Sequence, residues 1–395
     1  MDIRIFRRFA ALSALLALTA CTTVDTPETP SQKPVPPKST EVAFIQSHFD
    51  NLPVVENQSW EPALSAFQAS CKVMQQDARW TEVCRQALLT DPIGAQRFFL
   101  NNFTPWQVII AHQDEAVPKT TGLMTGYYEP LLRGSRTKEG PYQHPLYRVP
   151  GDLLTIDLGS LYPQLKGLRL RGKLEGQRVV PYDDRAKIQS RQDLAPYAIA
   201  WVDDPVAAFF LQIQGSGRIQ LPDGSHMRVG FADQNGHRYH AIGSWLIQKG
   251  YFKPHELSMQ RIQRWAKSHP NQVNEALAQN PSYVFFEERA IAPNLGPSGA
   301  QGVPLTPEAS VAVDLHYWVL GTPFIVSAHQ TNPTLSITRP VIAQDTGGAI
   351  RGPIRFDYFW GFGDQAGAQA GRQKSEVASW ILIPNGQAPE SFMVR

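Results

Sequence analysis

The chain reads as a mainly β protein with helices, of the α+β class, and three observations lead there. From Leu123 onward, short apolar or alternating stretches sit between Gly, Pro and Asp-Gly punctuation, the pattern of short strands and tight turns. The 395 residues hold 32 Pro and 29 Gly and are only 18% charged, which suits loop-rich β structure better than long helices. Helical spacing is confined to two blocks, 41–112 and 241–279. The length allows two or three domains with sizeable cores.

The first twenty residues read as a leader rather than as fold. Arg4, Arg7 and Arg8 form a basic start, and the apolar run from Phe9 to Ala20 is too short to span a bilayer. It ends in Leu18-Thr19-Ala20-Cys21, which resembles a bacterial lipobox. That resemblance implies cleavage before Cys21 and lipidation of its thiol and new amine. Thr22 after the cysteine suggests, by analogy with sorted lipoproteins, an outer-membrane anchor facing the periplasm. Several acyl chains at about 0.8 kcal/mol per buried CH₂ make a firm anchor. Residues 21–40 then form a tether with five prolines, which in extended form reaches roughly 60 Å.

With Cys21 assigned to lipid, Cys71 and Cys84 remain. In an oxidising compartment they are a disulfide candidate, closing a short loop worth roughly 3 kcal/mol; two buried thiols are the alternative. Within 41–112 the helical patterns are Trp60-Glu-Pro-Ala-Leu-Ser-Ala-Phe, Trp80 to Leu89 and Ile93 to Leu100. The middle of the chain is read as all-β. Its clearest unit is a hairpin running from Ala208 to Leu221, through Pro222-Asp-Gly, into His226-Met-Arg-Val-Gly-Phe. Helices return from Ala241, with Gly250 as a stop. Short strands near Ser310, Thr322, Pro340 and Val377 then suggest a small closed barrel. The division read from this order is 41–130 plus 253–395 as helical region and barrel, with 131–252 as an inserted β domain.

The formal charge is +2, and removing Asp2, Arg4, Arg7 and Arg8 with the leader leaves a neutral body. Neutrality argues against nucleic acid as a partner. Phosphate-loop, zinc-protease and nucleophile-elbow motifs are missing, and Gly361-Phe-Gly-Asp-Gln-Ala-Gly reads as a turn. His237 and His240 have ligand-like spacing without an evident third ligand, so neither metal nor cofactor is expected.

The densest chemistry lies in Asp345-Thr-Gly-Gly-Ala-Ile-Arg-Gly-Pro-Ile-Arg-Phe-Asp357-Tyr-Phe-Trp. Alternation puts Asp357 and Phe359 on one strand face and Phe356, Tyr358 and Trp360 on the other. A carboxylate beside apolar surface has its pKa raised and can act as a general acid near neutral pH, as glycosidase acids do. Asp345, before Thr-Gly-Gly, reads either as turn chemistry or as a second catalytic carboxylate. Thr125-Gly-Tyr-Tyr-Glu-Pro brings hydroxyls and aromatics into a turn and suits a saccharide groove wall, as does a turn of no special role.

Taken together, these stretches resemble the membrane-bound lytic murein transglycosylase A family. The pieces are the lipobox, Thr125 to Pro130, Phe209 to Arg218 ending Gln-Gly-Ser-Gly-Arg, Asn280 to Phe286, Pro304-Leu-Thr-Pro with Ala312-Val-Asp314, and Asp345 to Arg372. The resemblance implies a double-psi β-barrel carrying a three-aspartate pattern (Asp314, Asp345, Asp357), an inserted second β domain and a groove between them. It implies Asp357 as catalytic acid/base, with Gln214 and Ser216 on the glycan and Thr125, Tyr127, Tyr128 and Asp314 as further substrate-site positions. The reaction implied is that of a peptidoglycan lytic exotransglycosylase. It cleaves the β-1,4 bond between N-acetylmuramic acid and N-acetylglucosamine and leaves a 1,6-anhydromuramyl end. Peptidoglycan strands are the expected partner, with other cell-wall enzymes as further candidates. The rival readings are a two-carboxylate glycoside hydrolase using Asp345 with Asp357, and a non-catalytic peptidoglycan-binding lipoprotein.

Overall fold

The computed structural model describes residues 41–111, 117–166, 168 and 170–394. The leader, Cys21 and the tether expected over 1–40 lie outside the described residues.

The block expected to be mostly helical is helical only in its middle. It opens with strand β1 (Glu41–Gln46) and continues through helices α1 (Trp60–Met74), α2 (Thr81–Leu88) and α3 (Ala95–Asn102). It ends in strand β2 (Phe103–Ala111), which pairs antiparallel with β1 from Glu41↔Ala111 to Gln46↔Trp106. Val108, Ile109 and Ile110 explain the strand: β-branched side chains lose rotamer freedom in a helix and pack well on a pleated surface. Phe67 on α1 is fully buried, with the rings of Trp80, Phe98, Phe99 and Phe103 packed round it. Cys71 and Cys84, both fully buried, are joined to each other and tie α1 to α2. Strand β3 (Thr121–Glu129) follows.

Beyond Glu129 the chain builds a second sheet. Its elements are β4 (Leu131–Ser135), β5 (His144–Tyr147), β6 (Leu154–Ile156), β7 (Leu170–Glu175), β8 (Arg178–Pro181), α4 (Arg185–Ser190), β9 (Ala198–Val202), α5 (Pro205–Gln214), β10 (Ser216–Gln220) and β11 (His226–Gln234). Then come α6 (Ile242–Gln248), α7 (Met259–Ser268), α8 (Val273–Ala278) and β12 (Val284–Glu288). Six strands form one sheet in the order β12-β11-β10-β4-β9-β5, and β6-β7-β8 form a separate three-stranded sheet. The sheet takes in β12, past the boundary at 252 read from the sequence. Helices α6–α8 bury Ile242, Leu246, Trp265 and Leu277 against Val206 and Phe209 of α5.

The expected hairpin is half right. Ser216–Gln220 and His226–Gln234 pair antiparallel across the Asp-Gly turn, but 205–214 is the helix α5. Its ends explain it. The Asp204 carboxylate accepts the Val206 and Ala207 N–H groups, Pro205 occupies the first turn, and Gly215 stops the helix at φ 79°. A helix buried on most sides shows a continuous apolar run, which period counting cannot tell from a buried strand.

The last section closes the barrel. It contains β13 (Ser310–Ala312), β14 (Pro323–Thr331), β15 (Thr334–Asp345), β16 (Arg355–Phe362), α9 (Gly363–Ala370) and β17 (Lys374–Pro384). Strands β3, β17, β14, β15, β13 and β16 form a ring, because β3 pairs with both β16 and β17; β2 and β1 extend it from β17. This is the small closed barrel expected, with β13–β15 and β16–β3 parallel and the other ring pairs antiparallel. Its core holds Met124, Val311, Phe324, Phe356 and Tyr358 and merges with the helical cluster around Phe67. The segment from Gly361 is more than a turn. Gly361 and Gly363, at φ 108° and 84°, bend the chain, and α9 begins there.

Candidate active site

A single row of residues crosses four barrel strands. Thr125 on β3 stands opposite Asp357 on β16, Asp357 opposite Ala312 on β13, and Ala312 opposite Asp345 on β15. Directly opposed residues share a sheet face, so the two carboxylates and the Thr125 hydroxyl project together. Asp345 and Asp357 flank Ala312, with Cα atoms about 9.5 Å apart by strand spacing. The face is the barrel's outer one, since Met124, Phe356 and Tyr358 point the other way, into the core. Tyr127 and Phe359, two residues further along, pack their rings 5.2 Å apart and give the site an apolar wall with Ala312, Leu305 and Ile350.

Asp357 Oδ1 accepts from the Thr125 hydroxyl at 2.6 Å, and Arg355 Nη2 donates to the same hydroxyl oxygen at 2.9 Å. Asp357 keeps a minor part of its surface exposed and is densely surrounded by protein. Burial raises its pKa to about 6. The Thr125 bond and the Arg355 charge pull downward, and the Asp345 charge pushes upward. Asp345 is also raised, chiefly by burial, against the Ala300 and Thr346 N–H groups and the Tyr127 hydroxyl. Its two oxygens are occupied: Oδ1 accepts from Ala300 N at 2.9 Å and Oδ2 from the Tyr127 hydroxyl at 3.0 Å. Burial and the two carboxylates raise the Tyr127 phenol well above its ordinary value, so it stays a donor.

The third aspartate stands apart. Asp314 is 2% exposed. Its Oδ2 accepts from Gly352 N at 2.7 Å, and its Oδ1 meets both the backbone and the ring nitrogen of His316. Burial alone would raise its pKa, but the Gly352 and His316 bonds outweigh burial and lower it. It pins the Gly-rich turn between β15 and β16 from inside, rather than facing a ligand as the sequence reading expected. Tyr128 departs from that reading in the same way. Alternation turns its side chain from the carboxylates into a small cluster with Ala366 and Ala370, its hydroxyl reaching Met259 Sδ at 3.4 Å. Its backbone N–H donates to Gln214 Oε1 at 3.0 Å, which brings the C-terminal end of α5 against β3. Ser216 opens β10 one residue past Gly215, half-buried on the second sheet beside this junction. Thr125, Tyr127, Asp345 and Asp357 thus meet at one place, and Gln214, at the end of α5, touches β3 next to it at the Tyr128 N–H.

Two sets of residues at the site were not singled out from sequence. Arg355 lies two positions before Asp357 on the same strand face, so alternation could have found it. Ala300 N–H could not have been found, because only the fold brings that loop to Asp345.

Comparison with known proteins fits this geometry. A family model described as the MltA specific insert domain matches residues 123–287, and one described as the 3D domain matches 309–383. The membrane-bound lytic murein transglycosylase A of Escherichia coli K12 is 34% identical over 266 residues. That match covers 65% of this chain and 64% of the relative, so the chain spans just under two thirds of that relative's length. The crystal structure of MltA from Neisseria gonorrhoeae superposes with a TM-score of 0.77 at 35% identity, covering 89% of this chain and 96% of that one. Escherichia coli MltA with bound chitohexaose superposes with a TM-score of 0.65 at 27% identity, covering 88% and 96%. On these matches, which take in the barrel, the second sheet and the carboxylate row, the chain belongs to the membrane-bound lytic murein transglycosylase A family.

Proposed function

We propose that this protein is a peptidoglycan lytic transglycosylase in which Asp357 is the one acid/base group. The observation that carries the reading is a carboxyl raised to about 6, on an open barrel face, with one oxygen already fixed by Thr125. Arg355 has only donors, so the Thr125 oxygen accepts from it and its single proton points at Asp357 Oδ1. Oδ2 then carries the acid proton. Asp357 gives that proton to the glycosidic oxygen as the bond to muramyl C1 breaks. The resulting carboxylate takes the proton of the muramyl C6 hydroxyl as O6 bonds to C1, closing the 1,6-anhydro ring. The attacking hydroxyl belongs to the bound sugar, so no second carboxylate has to activate water.

Asp345 supports this step through its charge. Its negative field keeps Asp357 protonated and stabilises the positive charge that develops at C1 as the glycosidic bond breaks. The two-carboxylate hydrolase is the weaker reading because each Asp345 oxygen already accepts a hydrogen bond, from Ala300 N and from the Tyr127 hydroxyl, which fixes the carboxylate in place as a charge. Gln214 at the end of α5 and Ser216 at the start of β10 line the glycan path, and the inserted domain read over 131–252, its sheet completed by β12, supplies that wall. The lipobox supports a lipid anchor at Cys21 on the periplasmic face of the outer membrane. No helix among the described residues is long and apolar enough to cross a membrane.

The test is mass spectrometry of murein digested by the wild-type protein and by Asp357→Ala. Anhydromuropeptides that disappear in the variant are expected. Reducing-end products would favour hydrolysis, and murein binding without any product would favour the binding lipoprotein.

A further inference from the structure

Among the described residues, the chain passes between the barrel and the second sheet twice. It leaves where β3 ends at Glu129, and it returns through 289–309 after β12. Glu129 is 1% exposed, and its carboxylate is shared by two arginines of the second sheet. Arg218 Nε donates to Oε2 at 2.9 Å, and Arg228 Nη2 donates to Oε1 at 2.7 Å. The arginines stand opposite each other on β10 and β11. Further donors of both hold the returning segment: Arg218 reaches the Pro293 carbonyl at 2.9 Å, and Arg228 Nη1 reaches those of Ala292 and Leu295 at 3.0 and 2.7 Å. The Arg218 guanidinium also lies 4.0 Å over the ring of Phe362, at the end of the strand that carries Asp357.

One ion cluster therefore fastens both crossings, and each leads directly to the site. Glu129 is two and four residues beyond Tyr127 and Thr125. The returning segment runs on to Ala300, whose N–H holds Asp345. Arg218 is two and four residues beyond Ser216 and Gln214. We propose that Glu129, Arg218 and Arg228 are positioning residues that set the spacing between the second-sheet wall and the barrel carboxylates, and so the fit of the glycan strand. This rests on the reading of that junction as the glycan path. The cluster touches no reacting atom. A buried carboxylate shared by two guanidiniums resists displacement, because separating them strands a charge out of water.

The test compares Glu129→Gln and Arg218→Lys with wild type in steady-state digestion of murein glycan and in hydrogen exchange read by mass spectrometry. Glu129→Gln keeps one acceptor oxygen but turns an NH2 donor toward the other guanidinium, and Arg218→Lys keeps the charge but loses the fork, so each loosens the clamp. Expected for Glu129→Gln are a KM raised about tenfold with kcat within threefold, and exchange accelerated in 289–300 but unchanged in β14 and β15. Arg218→Lys should fall between it and wild type. Exchange accelerated evenly through the barrel would overturn the proposal, since that is general destabilisation, and so would kcat/KM within twofold of wild type. Should the wild type make no glycan products, the proposed activity fails, and the exchange pattern still decides whether the cluster clamps the crossings.

Discussion

Thr125 and Asp357 face each other across the parallel β3–β16 pair, the hydroxyl 2.6 Å from Oδ1. A hydrogen bond to the ionised carboxylate favours it, so removing the hydroxyl raises the Asp357 pKa further. In the proposed mechanism the acid form starts the reaction, and its loss is expected to set the alkaline limb of the pH profile near 6. Thr125→Val should therefore move that limb of kcat/KM to higher pH. It should also lower the maximum about tenfold to a hundredfold, because the carboxyl is no longer oriented. A pH–rate profile with soluble glycan measures both. An unmoved limb would mean that Asp357 is not the group being read.

Asp345→Asn tests the opposite sign. The Asp345 charge pushes Asp357 upward, so neutralising it lets Asp357 fall and shifts the same limb to lower pH. The asparagine oxygen can still accept from Ala300 N–H while its NH2 donates to the Tyr127 hydroxyl oxygen, and about one to ten per cent of wild-type activity should remain, with anhydro products. A fall of more than a thousandfold, together with reducing-end products in the wild type, would make Asp345 a catalytic partner and favour the hydrolase.

Asp357 also leaves a signature in stability. Its pKa is raised from the ordinary 3.8 to about 6, so the folded protein binds this proton more tightly than the unfolded chain. The associated stability is fully present below about pH 4 and is lost as pH rises through about 6. Asparagine does not titrate. The stability of Asp357→Asn relative to wild type should therefore grow by about 1–2 kcal/mol between pH 4 and pH 7, the full effect being discounted for solvent screening of a group that keeps some exposure. Urea unfolding at the two pH values measures it, on a variant with no activity.

Much of this was legible in the sequence, and the failures have physical causes. The order Asp345, Gly-rich turn, Asp357, with aromatics alternating after it, already placed the acid beside apolar surface, and the barrel strands around it were visible as short apolar runs. Helix α5 was hidden because a helix buried by α7, α8 and the sheet lacks a polar face, although Asp204-Pro205 and Gly215 marked its ends. Strands β1 and β2 were hidden because their pairing joins residues 60 to 70 positions apart, and only a partner edge makes them strands. Glu129 looked like one more turn residue. Its meaning depends on two arginines about ninety and a hundred positions away, and no local pattern announces that.

Asp314 is the aspartate whose role changed most between sequence and structure, and its removal should separate folding from chemistry. It is buried, and it accepts from His316, two residues on, and from Gly352 N in the turn that delivers Arg355 and Asp357 to β16. Its pKa is lowered, so its contribution is present above the ordinary carboxylate range and is lost as pH falls through the folded value. Asp314→Ala leaves the Gly352 N–H without its acceptor and should cost about 2–3 kcal/mol at pH 7. Denaturation midpoints measured from pH 7 down to pH 3 should show the difference from wild type shrinking toward acid. At a temperature where the variant is folded, the shape of its pH–rate profile should match that of wild type, because Asp314 does not face the reacting atoms. A shifted alkaline limb would show instead that Asp314 acts on Asp357 through the turn, and the three aspartates would have to be treated as one coupled site.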